Sequence, residues 1–476
     1  MSELKPIIGL EIHLQLNTKS KVFCDCSADI WEAKPNTHTC PVCLGLPGAL
    51  PVLNRSALLS AVKMAQALNC TINKRTYFER KNYFYPDLPK GYQISQKRAP
   101  LGERGWVEIP SGKRIHIWEI HLEEDTAKSI HEEGTTLLDF NKSGLPLLEI
   151  VSAPEIDSVE TLNQFAKEIR EIAIALGISN CDMEKGEMRF EANVSIRDPQ
   201  ELKELGKEKN QVPGSVLEPG SGELPSFAGK QIISEDRERT AERGVLISPY
   251  RVEIKNLNSF KYLRDAVAYE IERQTKLIEN SKEPEQETRG WDSTRGKTFV
   301  QRTKEEAHDY RYFPEPDLPP IGKDVVIQTE AIKLEVDLKK LPAAKRKRYR
   351  EMGLKPSQAE LLARDEKREE YFLELKEYID VKDAAKLVIN EPEVMEEDPE
   401  KVARNLEKKE EETISSKEKL EKIAKEVIEG NPQPVQDYQE ENKNALQFLI
   451  GKVMQKTQGK ADPKAAARIL DKLLGS

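Results

Sequence analysis

Six cysteines occur in the 476 residues, and four of them cluster at positions 24, 26, 40 and 43. The pattern is Cys-x-Cys, thirteen residues, then Cys-Pro-Val-Cys. Two short chelating pairs separated by such a loop fit a tetrahedral thiolate site for zinc. Four thiolates leave no coordination position for water, so a zinc held by Cys24, Cys26, Cys40 and Cys43 would be structural. The plainer alternative is four free thiols in a surface loop, and His38 could replace one thiolate. A redox Cys-x-x-Cys would leave one of the two pairs without purpose. Cys70 and Cys181 lie in apolar contexts and read as core or helix-end residues.

Carboxylates supply the other chemistry. Glu11 and His13 share the polar face of an alternating segment, IGLEIHLQL. HLEED places Glu123, Glu124 and Asp125 at a strand end, and Glu149 is the only charge in LPLLEIVS. An acid inside an apolar strand must be paired, protonated or metal-bound, because burying it alone is costly. Oxygen ligands in this number suit Mg2+, with His13 as an added nitrogen. Taken singly, each of these residues except Glu149 reads equally as a solvated strand position. Three runs dense in Lys, Arg, Asn, Tyr and Pro, at 79–96, 252–266 and 309–318, have the make-up of loops that hold a polar ligand. GWDSTRGKT approaches a phosphate-binding loop, but five residues separate its glycines where four are needed, and neither G-x-S-x-G nor H-E-x-x-H is present.

The elements that must position these groups are legible in the periodicity. Residues 6–320 mix strands of period two with amphipathic helices, among them VETLNQFAKEIREIAIALG, closed by Gly177. Residues 199–247, rich in Gly, Pro and charge, read as a peripheral insertion. After residue 320 Lys, Glu, Ala and Leu dominate and favour helices. The expected fold is α+β: a mainly antiparallel sheet domain over 1–320 with a zinc loop at 20–45, a helical domain at 321–401 and a helical tail at 402–476. No apolar run approaches the ~18 residues of a spanning helix. The N-terminal segment carries Glu11 and His13 and is no signal peptide, so a reducing cytoplasmic setting is expected. The formal charge of −9 restricts polyanion binding to local patches. One such patch follows Lys443, where seven Lys or Arg accompany two Asp; an ordinary helical pair explains that stretch as well.

Long motifs carry a resemblance. IGLEIHLQL, RKNYFYPDLPKGYQISQ, HLEEDTAKS, LLDFNKSGLPLLEIVS, VEIKNLNSFKYLRDA, QETRGWDSTRGKT and DYRYFPEPDL are similar, in order, to the B subunits of the glutamyl/aspartyl-tRNA amidotransferases. The helical remainder is similar in kind. The resemblance implies a cradle-like catalytic domain and ATP-dependent transamidation of mischarged Glu-tRNA(Gln) or Asp-tRNA(Asn). The side-chain carboxylate is phosphorylated, and ammonia then displaces phosphate. The resemblance further implies Mg2+ held by residues that match Glu11, His13, Glu124 and Glu149. Lys81 and Tyr83 would lie beside the metal and the ammonia exit, and Asn256, Asn258 and Arg311 would contact nucleotide or aminoacyl group. The partners implied are an amidase-type glutaminase subunit and a small third subunit in a heterotrimer, with tRNA bound by the tail. Alternation alone cannot choose Glu124 over Glu123; the resemblance does. The chain departs from the family pattern at Glu191, where Asp is expected as a second metal-site acid, and at Lys142, where Arg is usual. Two other readings remain open: a non-catalytic zinc-stabilised tRNA-binding scaffold, and an ATP-dependent carboxylate–amine ligase acting on a small metabolite.

Overall fold

The protein is described by a computed structural model covering residues 4–198, 250–303, 310–322, 337–439, 443–457 and 461–474. The expected insertion at 199–247 lies outside these residues. Two compact units form, Met1–Arg348 and Tyr349–Ser476.

Strands of the first unit are β1 (Lys5–Gln15), β2 (Thr71–Ile72), β3 (Arg75–Thr76), β4 (Glu79–Asn82), β5 (Tyr92–Ser95), β6 (Gly102–Glu108), β7 (Arg114–Glu124) and β8 (Lys128–Glu132). They continue as β9 (Thr135–Asp139), β10 (Pro146–Ser152), β11 (Met188–Arg197), β12 (Val252–Leu257), β13 (Glu287–Asp292), β14 (Lys297–Thr303), β15 (Phe313–Pro314) and β16 (Ile321–Gly322). Nine of them make one sheet, ordered β14-β13-β12-β11-β1-β10-β7-β6-β2. Every pairing in it is antiparallel except β12 with β13. That pair needs a crossover, which helix α3 (Phe260–Glu279) supplies.

Period-two alternation builds the sheet as expected. In β1, Leu10, Ile12 and Leu14 are buried while Glu11, His13 and Gln15 are half-buried on the other face. The apolar face packs against α1 (Arg55–Ala67), α2 (Val159–Ala175) and α3 through Ala61, Met64, Phe165, Ile169, Leu263 and Val267. Each helix starts at a side-chain cap: Asn54 accepts from Ser56 and Ala57, Ser158 from Thr161, and Ser259 from Tyr262. The opposite face carries the polar side chains of these strands, among them Glu11, His13, His121, Glu123 and Glu149.

Two irregularities shift the alternation. Between Val151 and Ser152 the β10–β7 register slips by one residue. Ile115 and Ile117 therefore face the core before the slip, and Ile120 and Leu122 after it. In β12 an extra residue lies opposite β11 between Phe190 and Ala192, and Asn256 there adopts φ 60°. The bulge lets both Ile254 and Leu257 reach the core.

The first unit runs past the boundary near 320 that composition suggests. Arg346, buried at a helix over Pro342–Glu351, is 2.7 Å from the buried Glu168 of α2. In the second unit the described elements are helical, with two apolar clusters. One gathers Tyr349, Leu362, Phe372, Ala385 and Val402; the other gathers Leu420, Val427, Leu449, Val453, Ile469 and Leu470. The long helix Pro399–Glu429 contributes to both. This is the expected α+β layout with a helical C-terminal region. Among the described residues no helix is long and apolar enough to cross a membrane.

Candidate active site and metal centres

Register places the titratable groups. On the polar face β1, β10 and β7 lie side by side, with His13 opposite Glu149 and Glu149 opposite His121. Glu123 follows two residues on, on the same face. His13 Nε2 is 3.3 Å from Glu149 Oε2 and 3.8 Å from Glu123 Oε1. His121 Nε2 is likewise 3.3 Å from Glu149 Oε2 and 3.8 Å from Glu123 Oε2. Ser95 Oγ donates to Glu123 at 3.2 Å. One atom each from His13, Glu123 and Glu149 lie within 4.8 Å of one another, close enough to share a cation.

Electrostatics fit that use. Burial opposes charge on His13, yet the hydrogen bond and charge of Glu149, with Glu191 and Glu123 beyond, raise it to about 9. Burial is outweighed in the same way at His121, which Glu149 and Glu123 raise to about 10. Burial would lift Glu149, but the two imidazoles hold it well below the usual carboxylate range. Among the described residues His121 Nδ1 is buried without a hydrogen-bond partner. Two carboxylates and an imidazole on adjacent central strands suit a hard or borderline divalent cation such as Mg2+ or Mn2+.

One expected ligand is corrected. Glu124 does not join His13 and Glu149; it points to the other side of β7. There it forms a buried ion pair with Lys90 and accepts from the Ile94 N–H at 2.8 Å. Counting alternation from Ile115 and Ile117 would put Glu124 on the polar face. The one-residue slip near Trp118 reverses this and presents His121 and Glu123 instead.

Glu11 lies two residues from His13 but belongs to a neighbouring group. It faces Glu191 across β11, and Glu253 of β12 completes three carboxylates with atoms within 4.8 Å of one another. Lys255 Nζ bridges Glu191 at 2.5 Å and Glu253 at 3.2 Å, while Asn193 donates to Glu11 at 2.8 Å. Burial, then the charges of Glu149, Glu191 and Glu253, push Glu11 up to about 7. Glu191 reaches the lysine, which with His13 overcomes its burial and lowers it. Lys142, the other departure, pairs with Asp125 at 2.8 Å alongside Arg189 at 3.0 Å.

Lys81 and Tyr83 sit above this face because β15 pairs with β4 and carries the segment before it across. The Asn82 N–H donates to the Tyr310 carbonyl at 2.9 Å. Lys81 Nζ lies 5.0 Å from the Tyr310 ring and 5.9 Å from that of Tyr83, and Tyr83, Tyr310 and Tyr312 contact one another in series. Burial opposes the Lys81 charge, but Tyr312, Glu123 and Glu149 raise it well above its ordinary value, so it stays cationic. Asn256 and Asn258 are exposed at the end of β12. Arg311 holds φ 43°, an uncommon backbone for arginine, with its carbonyl taken by Asn82 at 2.8 Å. The structure adds His121, Glu253, Lys255, Tyr310 and Tyr312 to the residues singled out from sequence, and of the HLEED acids it brings Glu123 to His13 and Glu149. For His121 the signal was its place two residues before Glu123 in WEIHLEED.

The cysteine loop also closes. All four sulfurs lie within 4.8 Å of one another, and Cys40 Sγ to Cys43 Sγ is 3.9 Å. A zinc with Zn–S of about 2.3 Å in tetrahedral geometry sets its sulfurs about 3.8 Å apart. None of the four is in a disulfide. Cys24 hydrogen-bonds to Cys43, and this with the Cys40 N–H and Lys21 pulls the Cys43 thiol down to about 4, while Cys24 is pushed up. Asn36 ties the loop to the β8–β9 hairpin, accepting from Phe140 at 2.7 Å and donating to the Leu138 carbonyl at 3.0 Å.

A family described as GatB/GatE catalytic domain matches residues 6–212 and 240–333, and one described as GatB domain matches 365–474. The chain is 39% identical to the B subunit of the aspartyl/glutamyl-tRNA(Asn/Gln) amidotransferase of Carboxydothermus hydrogenoformans, with 99% of each chain covered. It is 38% identical to the B subunits of the same name from Thermotoga petrophila, with 99% of each covered, and from Elusimicrobium minutum, with 100% of each covered. With a matching catalytic block, a matching helical block and likeness from end to end, the chain belongs to the family of aspartyl/glutamyl-tRNA(Asn/Gln) amidotransferase B subunits.

Proposed function

We propose that this chain converts Glu-tRNA(Gln), Asp-tRNA(Asn) or both to the amidated forms in an ATP-dependent reaction, with ammonia delivered by a glutaminase partner. The carrying observation is the cluster of His13, Glu123 and Glu149 beside Lys81 on the polar face of the sheet, in a chain of this family. A carboxylate resists attack by ammonia because its oxygen leaves poorly; transfer of the γ-phosphoryl group makes phosphate the leaving group. Mg2+ bound by His13, Glu123 and Glu149 would neutralise phosphate charge and bring the two anions together. Lys81, kept cationic, adds a fixed positive charge beside the carboxylates and is neither base nor nucleophile. Burial raises the Tyr83 and Tyr312 hydroxyls, so they stay protonated and able to donate hydrogen bonds. Glu11, Glu191 and Lys255 adjoin the cluster, and Asn256, Asn258 and Arg311 would meet nucleotide or aminoacyl group.

The zinc loop is structural in this reading. The basic segment after Lys443 meets tRNA phosphates, the glutaminase partner supplies ammonia, and a small third chain completes the heterotrimer. Such substrates put the protein in the cytoplasm. ADP formation by the assembled protein that depends on mischarged tRNA tests this reading. ADP formed with free glutamate or aspartate instead would point to a small-metabolite ligase, and none under any condition to a scaffold.

A further inference from the structure

Lys21 is fully buried, at 0% exposure, three residues before Cys24. Its backbone is held on two sides: its N–H donates to the Cys26 carbonyl at 2.9 Å, and its own carbonyl accepts from Asn54 at 3.2 Å. The side chain runs past Gly144, whose φ is +84° and where a Cβ would stand 3.5 Å from both Lys21 Cδ and Cys43 Cβ. The ammonium ends 3.6 Å from Cys43 Sγ and 3.3 Å from the Phe140 carbonyl. Among the described residues it makes no ion pair with a carboxylate.

A buried ammonium costs several kcal/mol unless an anion accompanies it. A carbonyl dipole is a weak substitute, and a neutral thiol is weaker. The available anion is the Cys43 sulfur. Four thiolates around a divalent cation carry a net double negative charge, itself expensive inside a protein. Cys43 is the most enclosed of the four at 3% exposure, and it already accepts from the Cys40 N–H at 3.2 Å.

Resting on the zinc reading above, we propose that Lys21 is the charge-compensating outer partner of the four-cysteine centre, so that metal occupancy and burial of the Lys21 ammonium depend on each other. The ammonium donates to the Cys43 thiolate and withdraws charge from it. The metal centre in turn supplies the anion without which Lys21 has reason to leave its site. Outer partners of this kind typically change metal affinity by roughly 10- to 100-fold.

Two measurements on the full chain decide it. Zinc affinity of Lys21→Met, read by competition with a chromophoric chelator, should fall roughly 10- to 100-fold. In the unmutated protein, acetic anhydride footprinting read by mass spectrometry should find Lys21 protected when zinc is bound and modified at least several-fold faster once zinc is removed. If Lys21→Met fails to fold, the footprint alone decides. Unchanged affinity in the variant, or equal Lys21 modification with and without zinc, overturns the role of Lys21. An unmutated chain that binds no zinc overturns the metal reading itself.

Discussion

The raised pKa of His13 makes cation binding at the carboxylate cluster depend on pH in a predictable direction. In the metal-free protein Glu149, with Glu191 and Glu123, lifts His13 from 6.5 to about 9 against its burial. At 1.36 kcal/mol per tenfold change, that is about 3 kcal/mol in favour of the imidazolium. A metal ligand must be the neutral imidazole, so binding displaces this proton. At pH 7.5 the protonated form outweighs the neutral one roughly thirtyfold, which costs about 2 kcal/mol of apparent affinity. Affinity for Mn2+, followed by its free-ion EPR signal, should rise about tenfold between pH 7 and 8 and level off above about 9. Calorimetry in buffers of different ionisation enthalpy should count one proton released at pH 7.5; a value near two would mean that His121 is deprotonated as well. Stability of the metal-free chain runs the other way. A raised folded-state pKa contributes fully below about 6.5 and is lost as pH rises through about 9. Affinity independent of pH from 7 to 9, with no proton released, would refute the placement of the cation on His13.

Four further variants test the other assignments. Glu123→Gln should abolish cation binding and tRNA-dependent ADP formation. Glu124→Gln should keep Mn2+ affinity within a few-fold but lower stability by about 3–5 kcal/mol in denaturant titration, because it leaves the buried Lys90 unpaired; equal loss of cation binding in both variants would restore Glu124 as a ligand. Cys40→Ser with Cys43→Ser should remove about one zinc per chain and lower Tm, with the surviving protein's chemistry changed much less; metal analysis of the parent and variant decides. Removing the basic tail should weaken mischarged-tRNA binding and flatten its salt dependence. The cut belongs after Leu406 rather than at Val402, since both residues pack in the first helical cluster, and an unchanged salt slope would move tRNA recognition to the sheet domain or to the partners.

Much of this protein was legible from the chain alone, for reasons that are local. Leu10, Ile12 and Leu14 against Glu11 and His13 declared a half-buried strand, because successive side chains must point to opposite faces. The amphipathic spacing of VETLNQFAKEIREIAIALG, closed by Gly177, marked a helix, which the fold realises as α2. The cysteine spacing announced its cluster, because ligands that must converge on a small site leave their mark on chain separation. What the chain could not settle is set by partners distant in sequence. A single-residue slip opposite Val151 and Ser152 decides that Glu123 rather than Glu124 faces His13, and nothing in HLEED records a slip imposed by a neighbouring strand. The bulge at Asn256 likewise turns Leu257 rather than Asn256 into the core, and the pairing of β15 with β4 brings Tyr310 to Lys81. Lys21 reads as a surface lysine in SKVFCDC. Only the packing of the Phe140–Gly144 turn against the cysteine loop buries it, and the cost of burying a charge then gives it a role that no local pattern could reveal.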